Sequence, residues 1–215
     1  MKSETLITKT PVCKFQYTWL VEPDTKYDPL WKVTCLIDMD KALPLETELE
    51  AFLDKWKQQL KAANPNKKFK LANKPWSYEK INDGDGEKDY FVIKTKMPTG
   101  GINRTTGEQW HMTPPVLFNA DNKVMTEDEK QKVNKCGAGT LGQVNMRIMG
   151  YDGNFGVGVK IQPQAVKIHK HVEYIKTAQD YGFDATTETQ NFEEETVTGH
   201  TGNWGKETFG GEEEF

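Results

Sequence analysis

Hydrophobic and polar residues alternate along two segments near the start of the chain. In VCKFQYTWLV, Phe15, Tyr17 and Trp19 occupy every second position, and WKVTCLID continues the alternation from Trp31. A period of two is typical of a strand with one buried face. We therefore predict two consecutive strands, and the pattern favours a core position for all four aromatic residues.

The period then changes to that of a helix in LETELEAFLDKWKQQLKAAN. Its apolar residues fall on one stripe of a helix, which comprises Leu45, Leu49, Phe52, Leu53, Trp56 and Leu60. Asn64 before Pro65 ends the segment. The stripe predicts a helix packed on the core, so Trp56 is assigned no function beyond packing. Further along, Thr126 and Glu129 have the spacing of a capping box.

Further strand patterns follow, joined by glycine-containing turns. INDGDGEKDYFVIKTKM offers an Asp-Gly turn that leads into a strand, which is typical of a hairpin. QVNMRIM and VGVKIQPQAVKI flank the loop GYDGNFG, which predicts a second hairpin with Tyr151 and Phe155 at its tip. Pro163 predicts that the last strand is an edge strand or bends. The fold class is therefore all-β with one inserted α-helix.

Composition describes a soluble protein. The 215 residues are 36% hydrophobic and 28% charged, which favours one domain with appendages. No apolar run approaches the roughly 18 residues that span a bilayer, and the start lacks a secretory core, so we expect a cytoplasmic location. Cys13, Cys35 and Cys136 include no CxxC pair. The sequence thus predicts reduced thiols, no structural metal and no cofactor.

Charge divides the chain into two parts. From Glu173 onward lie eleven of the 32 acidic and two of the 28 basic residues, a net charge of -9 that leaves +5 on the remainder. Beyond about Thr186 the sequence has no strand or helix period, which predicts disorder. We expect a folded domain over 1–174 and an acidic tail over 175–215. Solubility alone does not explain why Trp204 and Phe215 stand among the acids.

The chemistry that the residues favour is binding to nucleic acid. GxSxG, Walker and HExxH motifs are absent from the chain, which lowers the odds of an enzyme. After the helix, lysines alternate with aromatic residues in NPNKKFKLANKPWSYEK. Single-stranded nucleic acid suits such a segment, because cations follow the phosphates while unpaired bases stack on the rings. The five-stranded OB barrel is a small all-β fold that often binds in this way.

The combined motifs resemble those of a known family. INDGDG before YFVIKTK, then FNADNKVM before CGAGTLGQVNMRI, then FGVGVKIQPQAVKI and an acidic tail ending in Phe215 resemble the single-stranded DNA-binding proteins of short-tailed, T-odd bacteriophages. The resemblance implies an OB fold, sequence-tolerant binding of single-stranded DNA in replication and recombination, and homodimerisation. It also implies that the tail docks on the phage DNA polymerase and helicase-primase.

The resemblance also suggests site residues. Tyr151 corresponds to the tyrosine that the family places between its last two strands, and Phe155 is a substitute for a tryptophan whose position is Gly153 here. Lys94 and Lys96 correspond to basic residues of the middle strand. The full set of predicted DNA-binding residues is Lys67, Lys68, Lys70, Lys74, Trp76, Tyr78, Lys94, Lys96, Arg104, Arg147, Tyr151 and Phe155. The predicted partner-binding residues are Glu212, Glu213, Glu214 and Phe215.

Two other functions remain open on the sequence. A small phage DNA-processing enzyme, such as a metal-dependent nuclease or a recombination factor, could hold DNA on the same surface while acidic residues bind magnesium. A structural module could carry a tail that only adds solubility. Loss of intact DNA with magnesium would identify the first, and failure of oligo-dT to quench tryptophan fluorescence would identify the second.

Overall fold

The computed structural model describes residues 4–82, 86–103, 105–154 and 156–174. The described residues form ten strands and two helices. The strands are β1 (Thr5–Lys9), β2 (Cys13–Asp24), β3 (Leu30–Asp38), β4 (Trp76–Asn82), β5 (Glu87–Pro98), β6 (Gly100–Ile102), β7 (Gln109–His111), β8 (Val116–Phe118), β9 (Leu141–Gly153) and β10 (Gly156–Lys170). The helices are α1 (Met39–Ala63) and α2 (Glu127–Val133).

The main sheet confirms the predicted β-rich fold. Its strands follow the order β4-β5-β3-β2-β9-β10-β8, and β1 pairs with β9. Neighbours are antiparallel except for β8 and β10, and β10 also packs against β5. The strands β2, β3, β5, β9 and β10 thus correspond to the predicted OB-like barrel. The strands β1, β4 and β8 extend it, and α1 is inserted after β3 as the helical period predicted.

The helical stripe packs as expected. Leu45, Leu49, Leu53, Trp56 and Leu60 are buried, while Phe52 is half-buried. Helix α1 begins six residues before the predicted segment and ends where it was expected, because the amide of its C-cap residue donates to the last turn. The capping box at the start of α2 is present as predicted.

Of the four aromatic residues predicted for the core, Phe15 and Trp31 are buried. Tyr17 is not: it is 72% exposed, which corrects the sequence-based prediction. The register of β2 against β3 shifts just after Gln16, because Tyr17 and Thr18 form a β-bulge. Beyond the bulge the inward positions move by one residue, so that Thr18 is buried and Trp19 is half-buried.

Two further differences concern the bounds of strands, and one prediction for β10 is confirmed. No strand was predicted for Trp76 to Lys80, which belong to strand β4 because β4 pairs along its whole length with β5. Strand β9 continues through Gly153, so Tyr151 lies at a strand end and not in the loop. Strand β10 is an interior strand, and a register shift after Pro163 confirms that it is irregular there.

Candidate nucleic-acid interface

The basic loop that follows α1 is fixed to the β9–β10 hairpin. The amide of Val157 donates to the carbonyl of Lys70 at 2.8 Å, and the amide of Ala72 donates to the carbonyl of Val157 at 2.9 Å. At the tip, the ammonium group of Lys67 lies 2.7 Å from a carboxylate oxygen of Asp152. The lysines after the helix and the predicted stacking tyrosine therefore occupy the same corner of the molecule.

Tyr151 is held at this corner from two sides. Gly158 is opposite Tyr151 on β10. The Tyr151 ring lies directly over the Gly158 backbone, because a Cβ atom on Gly158 would be only 2.8 Å from the Tyr151 hydroxyl oxygen. From α1, Trp56 Nε1 donates to the carbonyl oxygen of Tyr151 at 3.2 Å. The indole also covers Gly150, where a Cβ atom would lie 2.5 Å from the ring. Tyr151 remains only half-buried, so part of its ring is accessible to a base.

A cleft of about 670 Å³ lies beside this corner, between the end of α1 and the basic loop. Among the described residues, four lysines and no acidic residue line it; the lysines are Lys57, Lys61, Lys67 and Lys68. Its apolar walls come from Leu60, Phe69, Leu71 and Val157. The ammonium group of Lys67 lies 5.0 Å from the centroid of the Phe69 ring. Cations above an apolar floor suit a ligand that is both anionic and flat or apolar, as a nucleotide is.

A second cationic region lies on the outer face of β3 and β5. Lys96 of β5 is opposite Lys32 of β3, and Lys94 is opposite Thr34. Lys94 and Lys96 are exposed. The ammonium group of Lys94 is 2.8 Å from Glu79 Oε1 on β4, and this hydrogen bond is the main cause that lowers the pKa of the Glu79 carboxyl. The carboxylate therefore occupies a position that a phosphate could take.

The two cationic regions are close to each other. Leu71 bridges to Val157 at the hairpin, and the carbonyl of Pro75 accepts from the amide of Lys94 at 2.8 Å. Leu71 and Pro75 are four positions apart, so the segment between them spans at most about 14 Å, and each of its ends is one strand spacing of about 5 Å from Val157 or Lys94. One extended strand of nucleic acid is long enough to contact both regions.

Three predicted DNA-binding residues contact α1. Trp76 is only 6% exposed, and its Nε1 donates to Glu50 at 3.0 Å. Lys74 binds the same carboxylate. Partial burial acts to raise the pKa of Glu50, but the hydrogen bonds from Lys74 and Trp76 outweigh it and lower the pKa.

Tyr78 lies on the same helix-facing side of the sheet. Its hydroxyl donates to Glu46, and its ring centroid is 5.4 Å from that of Phe91. In the register of β4 with β5, Trp76 and Tyr78 are opposite the buried residues Ile93 and Phe91, whereas Lys94 and Lys96 belong to the opposite face. The ring of Trp76 is therefore inaccessible to a base, whereas Tyr78 is 54% exposed and remains a predicted site residue on the face opposite to Lys94.

Arg147 lies on the outward face of β9, which it shares with Tyr151. It is half-buried between Ile7 of β1 and Gln162 of β10. Arg147 and Tyr151 are four positions apart on the strand, so their Cα atoms are about 13 Å from each other. The other predicted site residues, namely Arg104, Phe155, Glu212, Glu213, Glu214 and Phe215, lie outside the described residues.

Some basic residues of this surface were not predicted. Lys57 and Lys61 line the cleft. In the sequence each comes directly after a residue of the apolar stripe of α1, and lysines at such positions usually belong to the solvated face of a helix. Lys32 was hidden within an alternating strand pattern, and its position beside Lys96 depends on strand pairing. The spacing of Lys57 and Lys61, one turn apart before a basic loop, was the available sequence signal.

Within the described ranges, no three His, Cys, Asp or Glu side chains are grouped so as to hold a metal ion. None of their helices is long and apolar enough to cross a membrane. The three cysteines are buried and unpaired, and burial raises the pKa of the Cys136 thiol.

No family model and no curated protein matches the chain. Solved structures do. The single-stranded DNA-binding protein gp2.5 of bacteriophage T7 is 18% identical, with a TM-score of 0.61 over 93% of this chain and 100% of that chain. The single-stranded DNA-binding protein of bacteriophage Enc34, in complex with single-stranded DNA, is 14% identical, with a TM-score of 0.55 over 79% of this chain and 89% of that chain. A C-terminal truncation of the Enc34 protein gives 15% identity and a TM-score of 0.52 over 79% of this chain and 88% of that chain.

The resemblance suggested by the sequence is thus confirmed in three dimensions, and the chain has the fold of phage single-stranded DNA-binding proteins.

Proposed function

We propose that this chain binds single-stranded DNA with little sequence preference. The observation that carries the proposal is the fixed position of Tyr151, whose half-exposed ring lies beside the basic loop that also joins the hairpin to the strand of Lys94 and Lys96. The fold that it shares with two phage single-stranded DNA-binding proteins supports the same function.

The physical basis is a division of roles between rings and cations. Stacking on an aromatic ring contributes about 1–3 kcal/mol per base and tolerates any sequence, because every base has a π-face. Lysines neutralise phosphates and release counterions, which makes affinity depend on salt. In the proposed site Tyr151 stacks on a base. The phosphates of the DNA strand are contacted by Lys67, Lys68, Lys94 and Lys96. Lys70 and Arg147 extend the cationic surface on either side of the hairpin.

The biological role is proposed on the same basis. The protein acts without catalytic activity in phage DNA replication and recombination, by covering unpaired strands in the host cytoplasm, and it functions as a homodimer. The tail over 175–215 competes with DNA for the basic surface, because it belongs to a segment of net charge -9 tethered to a body of +5. Tethering sets an effective concentration in the mM range for short flexible linkers. When DNA displaces the tail, Phe215 is free to bind the phage DNA polymerase or helicase-primase, with Glu212, Glu213 and Glu214 steering the approach.

One titration tests the central claim. Oligo-dT is added to the full chain while tryptophan fluorescence and the anisotropy of a labelled oligonucleotide are followed at several salt concentrations. With four to six lysines on phosphates, log K should fall with log salt at a slope of about -3 to -4. No binding, or a slope near zero, would contradict the proposal.

Three parallel measurements address the alternatives. Double-stranded DNA should compete poorly, since its bases are not free to stack. Incubation of the labelled strand with the protein and magnesium should leave it intact, whereas degradation would establish the nuclease function instead. Sedimentation of the protein alone tests whether it is a dimer.

A further inference from the structure

Tyr17 combines two features that are rarely found together in a strand. Its side chain is 72% exposed, and its backbone has a φ of +48°. Residues other than glycine are disfavoured in this left-handed region, because the Cβ atom comes too close to the following carbonyl oxygen. Strained backbone of this kind is concentrated at functional sites, although it must be explained case by case.

The fold requires the bulge but not the tyrosine ring. Thr18 takes the inward position, where its hydroxyl oxygen accepts from the amide of Cys136 at 2.7 Å. Tyr17 is the extra residue and is left outside the core. With the described residues its side chain makes no hydrogen bond, ion pair or ring contact. Glycine would adopt the same backbone without strain, so folding alone does not account for an aromatic residue here.

Lysines lie close to the bulge, and two of them, Lys32 and Lys94, form ion pairs with Asp24 and Glu79. The β2 residues on either side of it pair with Thr34 and Lys32 of β3, which in turn pair with Lys94 and Lys96 of β5. Two strand spacings of about 4.8 Å place the backbone of Tyr17 about 10 Å from that of these two lysines. An exposed ring therefore lies beside the lysines that we assign to phosphates.

We infer that Tyr17 is a second stacking site, which binds an unpaired base of the strand whose phosphates contact Lys94 and Lys96. This inference rests on the proposed function and extends it, because Tyr151 and Tyr17 then hold two separate nucleotides of one strand. The left-handed backbone has a purpose in this arrangement: it turns the ring away from the barrel and towards solvent, where a base can reach it.

Three substitutions at Tyr17 separate stacking from folding. Tyr17→Phe keeps a flat ring and should keep the affinity for oligo-dT. Tyr17→Ala and Tyr17→Gly both remove the ring, and each should weaken binding about 5- to 150-fold. The two differ in strain: Tyr17→Gly should melt at a higher temperature than Tyr17→Ala, because only alanine retains a Cβ atom in the left-handed region. Loss of affinity without loss of stability is the signature of a binding residue.

A crosslinking experiment locates the contact directly. Oligo-dT containing 5-iodouracil is irradiated with the full chain, and the crosslinked peptides are identified by mass spectrometry. We expect adducts on the peptide that contains Tyr17 as well as on the one that contains Tyr151, and the first should disappear in Tyr17→Gly.

The outcomes distinguish this inference from the proposed function. If the unaltered chain binds oligo-dT and Tyr17→Ala binds equally well, Tyr17 is not a stacking site, although the function stands. If the unaltered chain does not bind oligo-dT, the function itself is wrong. If Tyr17→Ala changes the sedimentation of the free protein but not its affinity, the ring mediates self-association and the inference is overturned.

Discussion

Trp56 and Tyr151 are joined by a hydrogen bond of 3.2 Å from the indole nitrogen to the carbonyl oxygen. One residue belongs to the buried face of α1 and the other to the exposed end of β9. The bond, together with the contact of the indole with Gly150, connects the position of the proposed stacking ring to the packing of the helix. Trp56 is therefore a core residue that also positions Tyr151.

Replacing this tryptophan should weaken DNA binding through Tyr151. Trp56→Phe removes the hydrogen bond and part of the ring that covers Gly150, and we expect about 1–3 kcal/mol less stability together with lower affinity for oligo-dT. On a Tyr151→Ala background the same substitution should have no further effect on affinity, which a double-mutant cycle measures. Trp76→Phe is the matched control, because that buried indole also donates to a partner, Glu50, but on the helix-facing side. If Trp76→Phe weakens binding as much, general destabilisation explains both results.

Stacking and charge should separate in a pair of variants. Tyr151→Ala should reduce affinity by about 1–3 kcal/mol and leave the salt slope nearly unchanged, since the phosphate contacts persist. Lys94→Ala should instead make the slope shallower by about 0.7, the contribution of one phosphate on a single strand. Titrations with oligo-dT at four or more salt concentrations give both quantities. Equal slopes in the two variants would contradict the assigned roles.

The carboxylate of Glu79 should oppose DNA binding. It is 2.8 Å from the ammonium group of Lys94, and this hydrogen bond lowers the pKa of the carboxyl below its ordinary value, so that the group is ionised at neutral pH. Glu79→Gln should tighten binding at low salt, because DNA no longer competes with a carboxylate for Lys94. Glu46→Gln is the control: it changes the net charge equally but lies on α1, where it binds Tyr78. A similar gain in both variants would show an effect of net charge alone.

The same pair predicts a pH dependence. A carboxyl group whose pKa is lowered in the folded state contributes stability above its unfolded pKa, and this contribution is lost as the pH falls through the folded pKa. For Glu79 the loss therefore occurs below about pH 4.5. The melting temperature of the unaltered chain should fall towards that of Glu79→Gln in this acid range, and the difference between them should be constant from pH 6 to pH 8. A difference that changes near neutral pH would point to another group.

The sequence predicted elements with strong local periods. The stripe from Leu45 to Leu60 and the capping box at Thr126 depend on residues within a few positions of each other, and both are present in the structure. The alternating strands were found for the same reason. The shared fold could be expected because the motifs that resemble the phage family lie on these strands.

Features that depend on pairing between distant segments were not predicted. The bulge at Tyr17 follows from how β2 matches β3, and one added residue reverses which side chains face the core. Trp76 and Tyr78 lie among lysines in the sequence, yet pairing with β5 places both on the side of the sheet that faces α1, where Trp76 is buried and Tyr78 is exposed. A basic aromatic segment therefore indicated the right chemistry but could not show which rings were accessible.

The tail provides a final prediction, which concerns residues outside the described ranges. Cutting the chain after Thr186 removes eight of the eleven acidic residues that lie from Glu173 onward and should tighten binding to oligo-dT, most strongly at low salt, where screening is least. Deleting Phe215 alone removes no side-chain charge, so the affinity for DNA should be nearly unchanged, while capture of the phage polymerase or helicase-primase should be lost. Binding assays on both variants, with a pull-down of the replication partner, measure the two effects. Weaker DNA binding without Phe215, or a pull-down that survives its deletion, would contradict the role assigned to the terminal ring.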